Sequence, residues 1–131
     1  MEKGDVFVIS APSGSGKTTI CRMLVGRLDN IELSISYTTR PRKRREEDGK
    51  DYHFIDPKKF DMMICSRELL EFASVYGNRY GTSREAVRSI VSRGRDAVLE
   101  IDVQGGKKVK EELPDHKIGT KRGKSFLFFM G

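Results

Sequence analysis

Residues 6–19 join a short apolar run to a glycine-rich turn, a pattern whose chemistry is phosphate binding. The run Val-Phe-Val-Ile is followed by Ser-Ala-Pro-Ser-Gly-Ser-Gly-Lys-Thr-Thr. A strand that leads into such a turn and a helix that leaves it point backbone N–H groups and a positive helix-dipole end at phosphate oxygens. Lys17 would reach the β- and γ-phosphates, and the Thr18 hydroxyl would hold Mg²⁺. The residues predicted to hold the nucleotide phosphates are Ala11, Pro12, Ser13, Gly14, Ser15, Gly16, Lys17, Thr18 and Thr19.

This phosphate loop departs from the strict pattern at one position, where Ala11 replaces a glycine. Alanine is tolerated wherever the backbone keeps a negative φ. The ordinary alternative is a glycine-rich helix start that binds nothing, but the strand before it, the helix after it and the Lys-Thr pair favour phosphate binding. A second Gly-Lys-Ser at 123–125 has Ile118 in place of the leading glycine and runs into Phe-Leu-Phe-Phe, which predicts a strand.

The 131 residues suffice for a single domain with a hydrophobic core. No run of about 18 apolar residues occurs and no secretory signal precedes the first strand, so we expect a cytoplasmic protein without a membrane partner. Cys21 and Cys65 lack His or Cys companions at metal-ligand spacing, and we expect both to be packed thiols.

The net charge of +6 is unevenly distributed. Residues 116–131 carry four basic residues and no acid, which leaves 21 basic and 19 acidic side chains in the first 115 residues. A nucleic-acid partner would rest on charge alone and would give steeply salt-dependent DNA binding, so we expect none. The remaining basic cluster comprises Arg40, Arg42, Lys43, Arg44 and Arg45.

This basic cluster has two interpretations. It is either a solvated patch or an anion-binding loop for a second, phosphorylated substrate. Pro41 at its start and Asp48-Gly49 after it mark a loop between two short strands.

Apolar periodicity predicts the elements that position these loops. Ile20, Leu24 and Leu28 recur at the spacing of one helical face and predict the first helix. Asp56 before Pro57 and Ser83 before an apolar helical pattern are typical helix caps. Strands are predicted at 6–9, 31–36, 52–55, 69–75 and 97–102, and helices at 57–66, at 83–94 and at 105–113 before Pro114.

The order strand, phosphate loop, helix, small strands and helices, strand, helix predicts an α/β sheet with a mixed insert. The strand 97–102 ends in acids, at the sheet edge where ligands of such folds collect. We predict a single domain over 1–131, with 1–35 and 95–131 forming the nucleotide core and 36–94 forming the insert.

Five motifs in register resemble those of guanylate kinases, from about Val6 to Pro114. Besides the phosphate loop they are Ser36-x-Thr38-Thr39-Arg40-Pro41, Gly49-x-Asp51-Tyr52-x-Phe54, Gly77-Asn78-x-Tyr80-Gly81-Thr82 and Glu100-Ile101-Asp102-x-Gln104-Gly105. The resemblance implies a P-loop NTPase-type parallel sheet with a small mixed α/β GMP-binding insert. It implies transfer of the γ-phosphoryl group of ATP to GMP, giving ADP and GDP, with Mg²⁺ between the phosphates.

The resemblance also implies roles for individual residues. Lys17, Arg40 and Asp102 would be catalytic, and Thr18 and Asp102 would hold Mg²⁺. The positions that match holders of the GMP phosphate are Ser36, Arg40, Tyr52 and Tyr80; those that match readers of guanine are Glu71, Thr82 and Glu100. Each tyrosine could also be a core edge with a wet hydroxyl, and Glu71 a surface acid.

The chain departs from the family pattern at two places. Lys43 stands where the family usually has an arginine that contacts the GMP phosphate, so the contact is made by Lys43 or by a neighbour, Arg42 or Arg44. The lid arginines and the last helix and strand of the family have no counterpart, and we expect a truncated or frame-shifted member that is weak or inactive in catalysis; Phe126 to Met130 would be the strand before the lid.

Two other classes stay open at this point. A guanylate-kinase-like module that binds phosphorylated peptides would have the same fold, although such modules typically degrade the phosphate loop, and Lys17 and Thr18 are intact here. A related kinase that acts on a sugar phosphate would have the same phosphate loop, but the predicted guanine readers favour GMP. The sequence leaves the oligomeric state undetermined.

Overall fold

The computed structural model describes residues 4–10, 17–101 and 125–129. These residues form two four-stranded sheets with three helices. The elements in chain order are β1 (Val6–Ser10), α1 (Lys17–Arg27), β2 (Ile31–Leu33), β3 (Tyr37–Thr38), β4 (His53–Phe54), α2 (Pro57–Cys65), β5 (Leu69–Val75), β6 (Asn78–Ser83), α3 (Arg84–Ser92), β7 (Asp96–Ile101) and β8 (Ser125–Phe129).

The first sheet is parallel, with the strand order β2-β7-β1-β8. Its central strands read as continuous apolar runs because a parallel sheet is covered on both faces. Val6, Val8 and Leu99 are buried on one face together with Val87 of α3. The opposite face buries Ile9, Val98, Ile31 and Cys21 of α1. The result is a layered α/β core with helices on both faces.

The second sheet has the strand order β4-β3-β6-β5 and is mixed. β3 pairs in parallel with β4 and antiparallel with β6, and β5 and β6 form a hairpin. Tyr76 and Gly77 make its two-residue turn with φ values of 50° and 80°, the combination that a type I′ turn requires. α2 covers one face of this sheet, where Phe60 and Met63 pack on Leu69.

Several predicted elements are confirmed. α2 begins at Pro57 after Asp56, whose carboxylate accepts a 2.7 Å hydrogen bond from the Lys59 amide. Ser83 caps α3 by accepting from the Ala86 amide at 3.2 Å. β5 and β8 lie where strands were predicted, and the parallel sheet with a mixed insert is the predicted fold class.

Other expectations were wrong in detail. The strand predicted at 31–36 ends at Leu33, because the chain leaves the parallel sheet there and enters the second sheet at Tyr37. Ile20 and Leu28 are 39 % and 52 % exposed, because α1 turns Cys21 and Leu24 toward the sheet instead. Cys65 is exposed at the end of α2 and is not a packed thiol.

The hairpin partner strand β6 and the short β3 were not predicted. The helix predicted at 105–113 lies outside the described residues. The proposed division of the chain stays a prediction; α3, placed in the insert, contributes its buried residues to the core of the parallel sheet. Among the residues that the structure describes, no helix has the length and hydrophobicity needed to cross a bilayer.

Candidate functional site

The two faces of β6 differ: one packs against α2, and the other carries polar side chains. Side chains alternate along a strand, so Tyr80 and Thr82 share one face and Arg79 and Gly81 lie on the other. α2 occupies the second face: a Cβ on Gly81 would lie 3.1 Å from the Phe60 ring, and the Arg79 guanidinium lies 4.5 Å from the centre of that ring. The Tyr80 and Thr82 side is therefore the side on which the candidate site is built.

A buried carboxylate lies on this polar face. Glu71 of β5 is the register partner of Thr82, and the Thr82 hydroxyl donates a 2.8 Å hydrogen bond to Oε1 of Glu71. The two residues are 3 % and 1 % exposed. The β-bulge between Leu69 and Glu71 makes this possible, because it sends Leu69 to the α2 face and Leu70 into the core of the parallel sheet.

A guanidinium lies among aromatic rings further along the same face. The Arg40 guanidinium carbon lies 5.3 Å from the centre of the Tyr52 ring and 5.9 Å from that of Phe54, within range of cation–π attraction. Tyr52 and Tyr80 meet edge to face at 5.8 Å. A hydrogen bond from the Arg40 amide to the Thr38 hydroxyl (3.1 Å) fixes the chain where the basic loop begins.

Glu46 holds Arg40 by two hydrogen bonds. Nη1 and Nη2 of Arg40 donate to Oε1 and Oε2 of Glu46 at 2.9 Å and 2.7 Å. The Arg40 contact, together with the Lys43 amide, lowers the pKa of the Glu46 carboxyl. The same contact, with a lesser contribution from Tyr80, raises the pKa of Arg40 above its already high ordinary value. Both groups are therefore charged at neutral pH.

The other basic residues of the loop, 42–45, are all exposed. Arg42 donates to the Glu46 carbonyl oxygen at 2.7 Å. Lys43 and Arg44 are exposed, and the Lys43 amide donates to the Glu46 carboxylate at 2.8 Å. All three basic residues considered for a phosphate contact are therefore exposed, and the Arg42 side chain is held by a backbone carbonyl.

Glu100 joins the parallel sheet to this site. It is a partly buried residue of β7, beside Ile9 of β1. Burial raises the pKa of the Tyr52 hydroxyl, and the nearby charge of Glu100 raises it further. Tyr52, whose ring lies beside the Arg40 guanidinium, is therefore also close enough to Glu100 to be affected by it. Ser36 is half-buried at the entry to β3, and its carbonyl accepts from the His53 amide at 2.8 Å.

A salt bridge ties the insert to the helix that follows the phosphate loop. Arg22 of α1 donates to Asp51 at 2.5 Å, and Asp51 directly precedes Tyr52. The Glu47 amide and, less strongly, Arg22 lower the pKa of the Asp51 carboxyl. The helix that starts at Lys17 thus contacts the loop that carries a candidate phosphate-binding tyrosine.

The predicted ATP side lies largely outside the described residues. Residues 11–16 and Asp102 belong to that part, and Lys17, Thr18 and Thr19 form the first turn of α1. Ser10 and Ile101 are register partners in the parallel sheet. The chain therefore enters the phosphate loop and the segment that starts with Asp102 from adjacent strand ends.

The contacts of four residues of the site were not predicted from the sequence: Thr38, Glu46, and the paired Arg22 and Asp51. Glu46 lies among the charges of a polar loop, and Asp51 belongs to a motif that does not reveal its partner, because the Arg22–Asp51 pair spans 29 positions. The only available signal was an acidic run directly after a basic one in the same loop.

Comparison with known proteins decides the family. A family model described as guanylate kinase matches residues 3–118. The chain belongs to the guanylate kinase family. The guanylate kinase of Alkalilimnicola ehrlichii is 47 % identical over 111 residues, which cover 85 % of this chain and 55 % of that protein. That of Thermotoga maritima is 50 % identical over 110 residues, 84 % of this chain and 53 % of that protein.

A solved structure agrees with this assignment. The crystal structure of guanylate kinase from Anaplasma phagocytophilum superposes with a TM-score of 0.77 at 32 % sequence identity, covering 98 % of this chain and 60 % of that one. The chain spans about half the length of the curated guanylate kinases that it matches. The fold of the family is thus present over the matched part.

Proposed function

We propose that this chain carries the GMP site of a guanylate kinase and serves transfer of the γ-phosphoryl group of ATP to GMP, giving ADP and GDP. The proposal rests on two groups that lie on one face of the second sheet. One is a buried carboxylate, and the other is a guanidinium beside aromatic rings. Glu71 is 3 % exposed, and Arg40 lies over the Tyr52 ring at 5.3 Å. The first group suits a base that offers hydrogen-bond donors, and the second suits a phosphate.

Glu71 favours guanine over adenine. Guanine offers its N1–H and exocyclic amine as adjacent donors, whereas adenine has no such pair to donate to the carboxylate. Each hydrogen bond lost to a charged group costs about 1.5–3 kcal/mol. Thr82 and Glu100 are proposed to complete guanine recognition, since Thr82 contacts Glu71 and Glu100 lies near Tyr52.

Arg40, Tyr52, Tyr80 and Ser36 are proposed to bind the GMP phosphate. The guanidinium and the two phenols lie together, and Ser36 enters the same sheet at β3. Lys43 or Arg44 would add charge from the exposed side of the loop. A guanidinium that is already fixed loses little freedom when a phosphate arrives, which favours tight and oriented binding.

The proposed reaction needs no general base, because the attacking GMP phosphate oxygen is already ionised at neutral pH. Catalysis then depends on positioning the two nucleotides and neutralising their charge. Lys17 and residues 11–16 are proposed to hold the ATP phosphates. Mg²⁺, proposed to bind Thr18 and Asp102, would supply charge neutralisation between the phosphates. A cytoplasmic location and the absence of a nucleic-acid partner stay predictions.

Calorimetric titration and a coupled assay test this proposal. The 131-residue chain should bind GMP and bind AMP at least about tenfold more weakly. ADP release with GMP as acceptor should occur, and turnover of about 1–100 s⁻¹ is the usual kinase range. Binding of a phosphorylated peptide without GMP, or turnover of a sugar phosphate that GMP does not inhibit, would refute the proposal.

A further inference from the structure

Glu46 makes hydrogen bonds with three residues of the basic loop. Its two carboxylate oxygens accept the two hydrogen bonds from Arg40, and Oε1 also accepts from the Lys43 amide at 2.8 Å. Its backbone amide donates to the Lys43 carbonyl at 3.0 Å, and its carbonyl accepts from Arg42. One acid thus organises three basic residues of the segment proposed to meet a phosphate.

The contact between Glu46 and Arg40 uses one edge of the guanidinium. Nη1 and Nη2 face Glu46, and Nη1 also donates to the Pro41 carbonyl at 3.1 Å. The Nε edge takes no part in this contact. The side chains of Arg40 and Glu46 are only 16 % and 19 % exposed, so the pair is shielded from solvent more than an ordinary surface salt bridge.

Two opposite roles would fit a carboxylate in this position. Glu46 could occupy the place of the substrate phosphate and leave when GMP binds, or it could stay and hold Arg40 in the orientation that GMP needs. The third hydrogen bond, from the Lys43 amide, favours the second role. Displacing the carboxylate would also break its hydrogen bond from the Lys43 amide, whereas staying keeps that bond and holds Arg40 over the Tyr52 ring.

We propose that Glu46 is a positioning residue for GMP: it stays bound to Arg40 and orients the guanidinium toward the phosphate through the edge that Glu46 does not use. This inference rests on the proposed function, because it assigns a supporting group to the same site. Glu46 touches neither the nucleotide nor the transferred phosphoryl group in this arrangement. Its effect on binding is exerted through Arg40.

The test compares Glu46→Gln with Glu47→Gln by calorimetric titration with GMP and with guanosine. Both substitutions remove one negative charge from neighbouring positions, and Glu47 is exposed. We expect Glu46→Gln to weaken GMP binding about tenfold, because glutamine is uncharged and cannot form the two parallel charge-assisted hydrogen bonds that a carboxylate forms with a guanidinium. Guanosine, which lacks the phosphate, should bind within about twofold of the wild type, and Glu47→Gln should change neither ligand.

An Arg40→Ala background separates positioning from a general role in the loop. If Glu46 acts through Arg40, then Glu46→Gln adds less than about twofold to the loss caused by Arg40→Ala. Tighter GMP binding by Glu46→Gln would show that the carboxylate competes with the phosphate and would overturn the inference. Equal losses for GMP and guanosine, or full additivity with Arg40→Ala, would also overturn it. Wild-type protein that binds no GMP would refute the proposed function instead.

Discussion

The Thr82 hydroxyl and the Glu71 carboxylate face each other across the β5–β6 ladder and are joined by a hydrogen bond of 2.8 Å in the protein interior. The bond holds Oε1 of Glu71 and thereby helps to fix the orientation of the carboxylate. Thr82 is thus placed to orient the group that we propose reads guanine.

Replacement of Thr82 tests this orientation. Thr82→Val keeps the shape of the side chain but removes the donor to Glu71, and we expect GMP affinity to fall about tenfold, the usual effect of losing a hydrogen bond to a charged group. Thr82→Ser keeps the hydroxyl and should bind GMP within about threefold of the wild type. Calorimetric titration of both variants gives the comparison; wild-type affinity in Thr82→Val would contradict it.

Replacement of the exposed Lys43 by arginine should raise the affinity for GMP. Lysine supplies a point charge, whereas arginine can donate two parallel hydrogen bonds to a phosphate. We expect Lys43→Arg to bind GMP about threefold to tenfold more tightly. The control is Arg44→Lys, which should leave affinity unchanged. A loss in Arg44→Lys with no gain in Lys43→Arg would assign the phosphate contact to Arg44.

Alanine substitutions at two glycines should change the free energy of unfolding in opposite directions. Gly26 lies in α1 with nothing within 4 Å of an added Cβ, so Gly26→Ala should raise the free energy of unfolding by about 0.5–1 kcal/mol. A Cβ on Gly81 would lie 3.0 Å from the Leu69 side chain and 3.1 Å from the Phe60 ring, so Gly81→Ala should lower it by about 1–3 kcal/mol. Urea denaturation followed by circular dichroism measures both. Equal shifts would show that Phe60 and Leu69 yield without cost.

The protein should lose stability in acid, because three carboxyl groups have a lowered pKa in the folded state. The pKa of Glu46 is lowered chiefly by Arg40, that of Glu32 chiefly by Arg93, and that of Asp51 chiefly by the Glu47 amide. A lowered folded-state pKa stabilises the protein above the unfolded-state value, 4.5 for Glu and 3.8 for Asp, and this stability is lost as the pH falls through the folded value.

The urea midpoint should therefore stay level from pH 7 to about pH 5 and fall progressively below pH 4.5. Glu32→Gln should lower the midpoint at pH 7 and leave a smaller decrease on acidification. Because Glu32 is partly exposed, 1 M salt should reduce the effect of this substitution. A midpoint that rises on acidification would contradict the prediction.

Local signals were sufficient for much of the fold. Asp56 and Ser83 marked helix starts because their side chains bond to amides three residues ahead, a contact that depends on nothing distant. The apolar run at 97–101 marked a strand buried on both faces. β3 has only two residues, and β6 carries tyrosine, glycine and serine in place of an apolar alternation, so neither gave a strand pattern.

The motifs indicated residues of the candidate site, whereas the contacts that support those residues could not be predicted from the sequence. The motifs led to Arg40, Tyr52 and Tyr80, which the structure brings together. Glu46 and the Arg22–Asp51 pair depend on how a loop closes on itself and on a helix, and local propensity contains no information about either. Exposure of Ile20 likewise depends on the rotation of α1 against the sheet.

The two-residue turn at Tyr76 and Gly77 has a consequence for the chemistry several residues away. Because it pairs Val75 directly with Asn78, it also sets Glu71 opposite Thr82. Insertion of one residue in this turn would shift β6 by one position and exchange its two sides. Gly81 would then lie on the side of the proposed GMP site, and Thr82 would face the Phe60 ring. The length of this turn therefore determines which side chains of β6 lie on the side of the proposed GMP site.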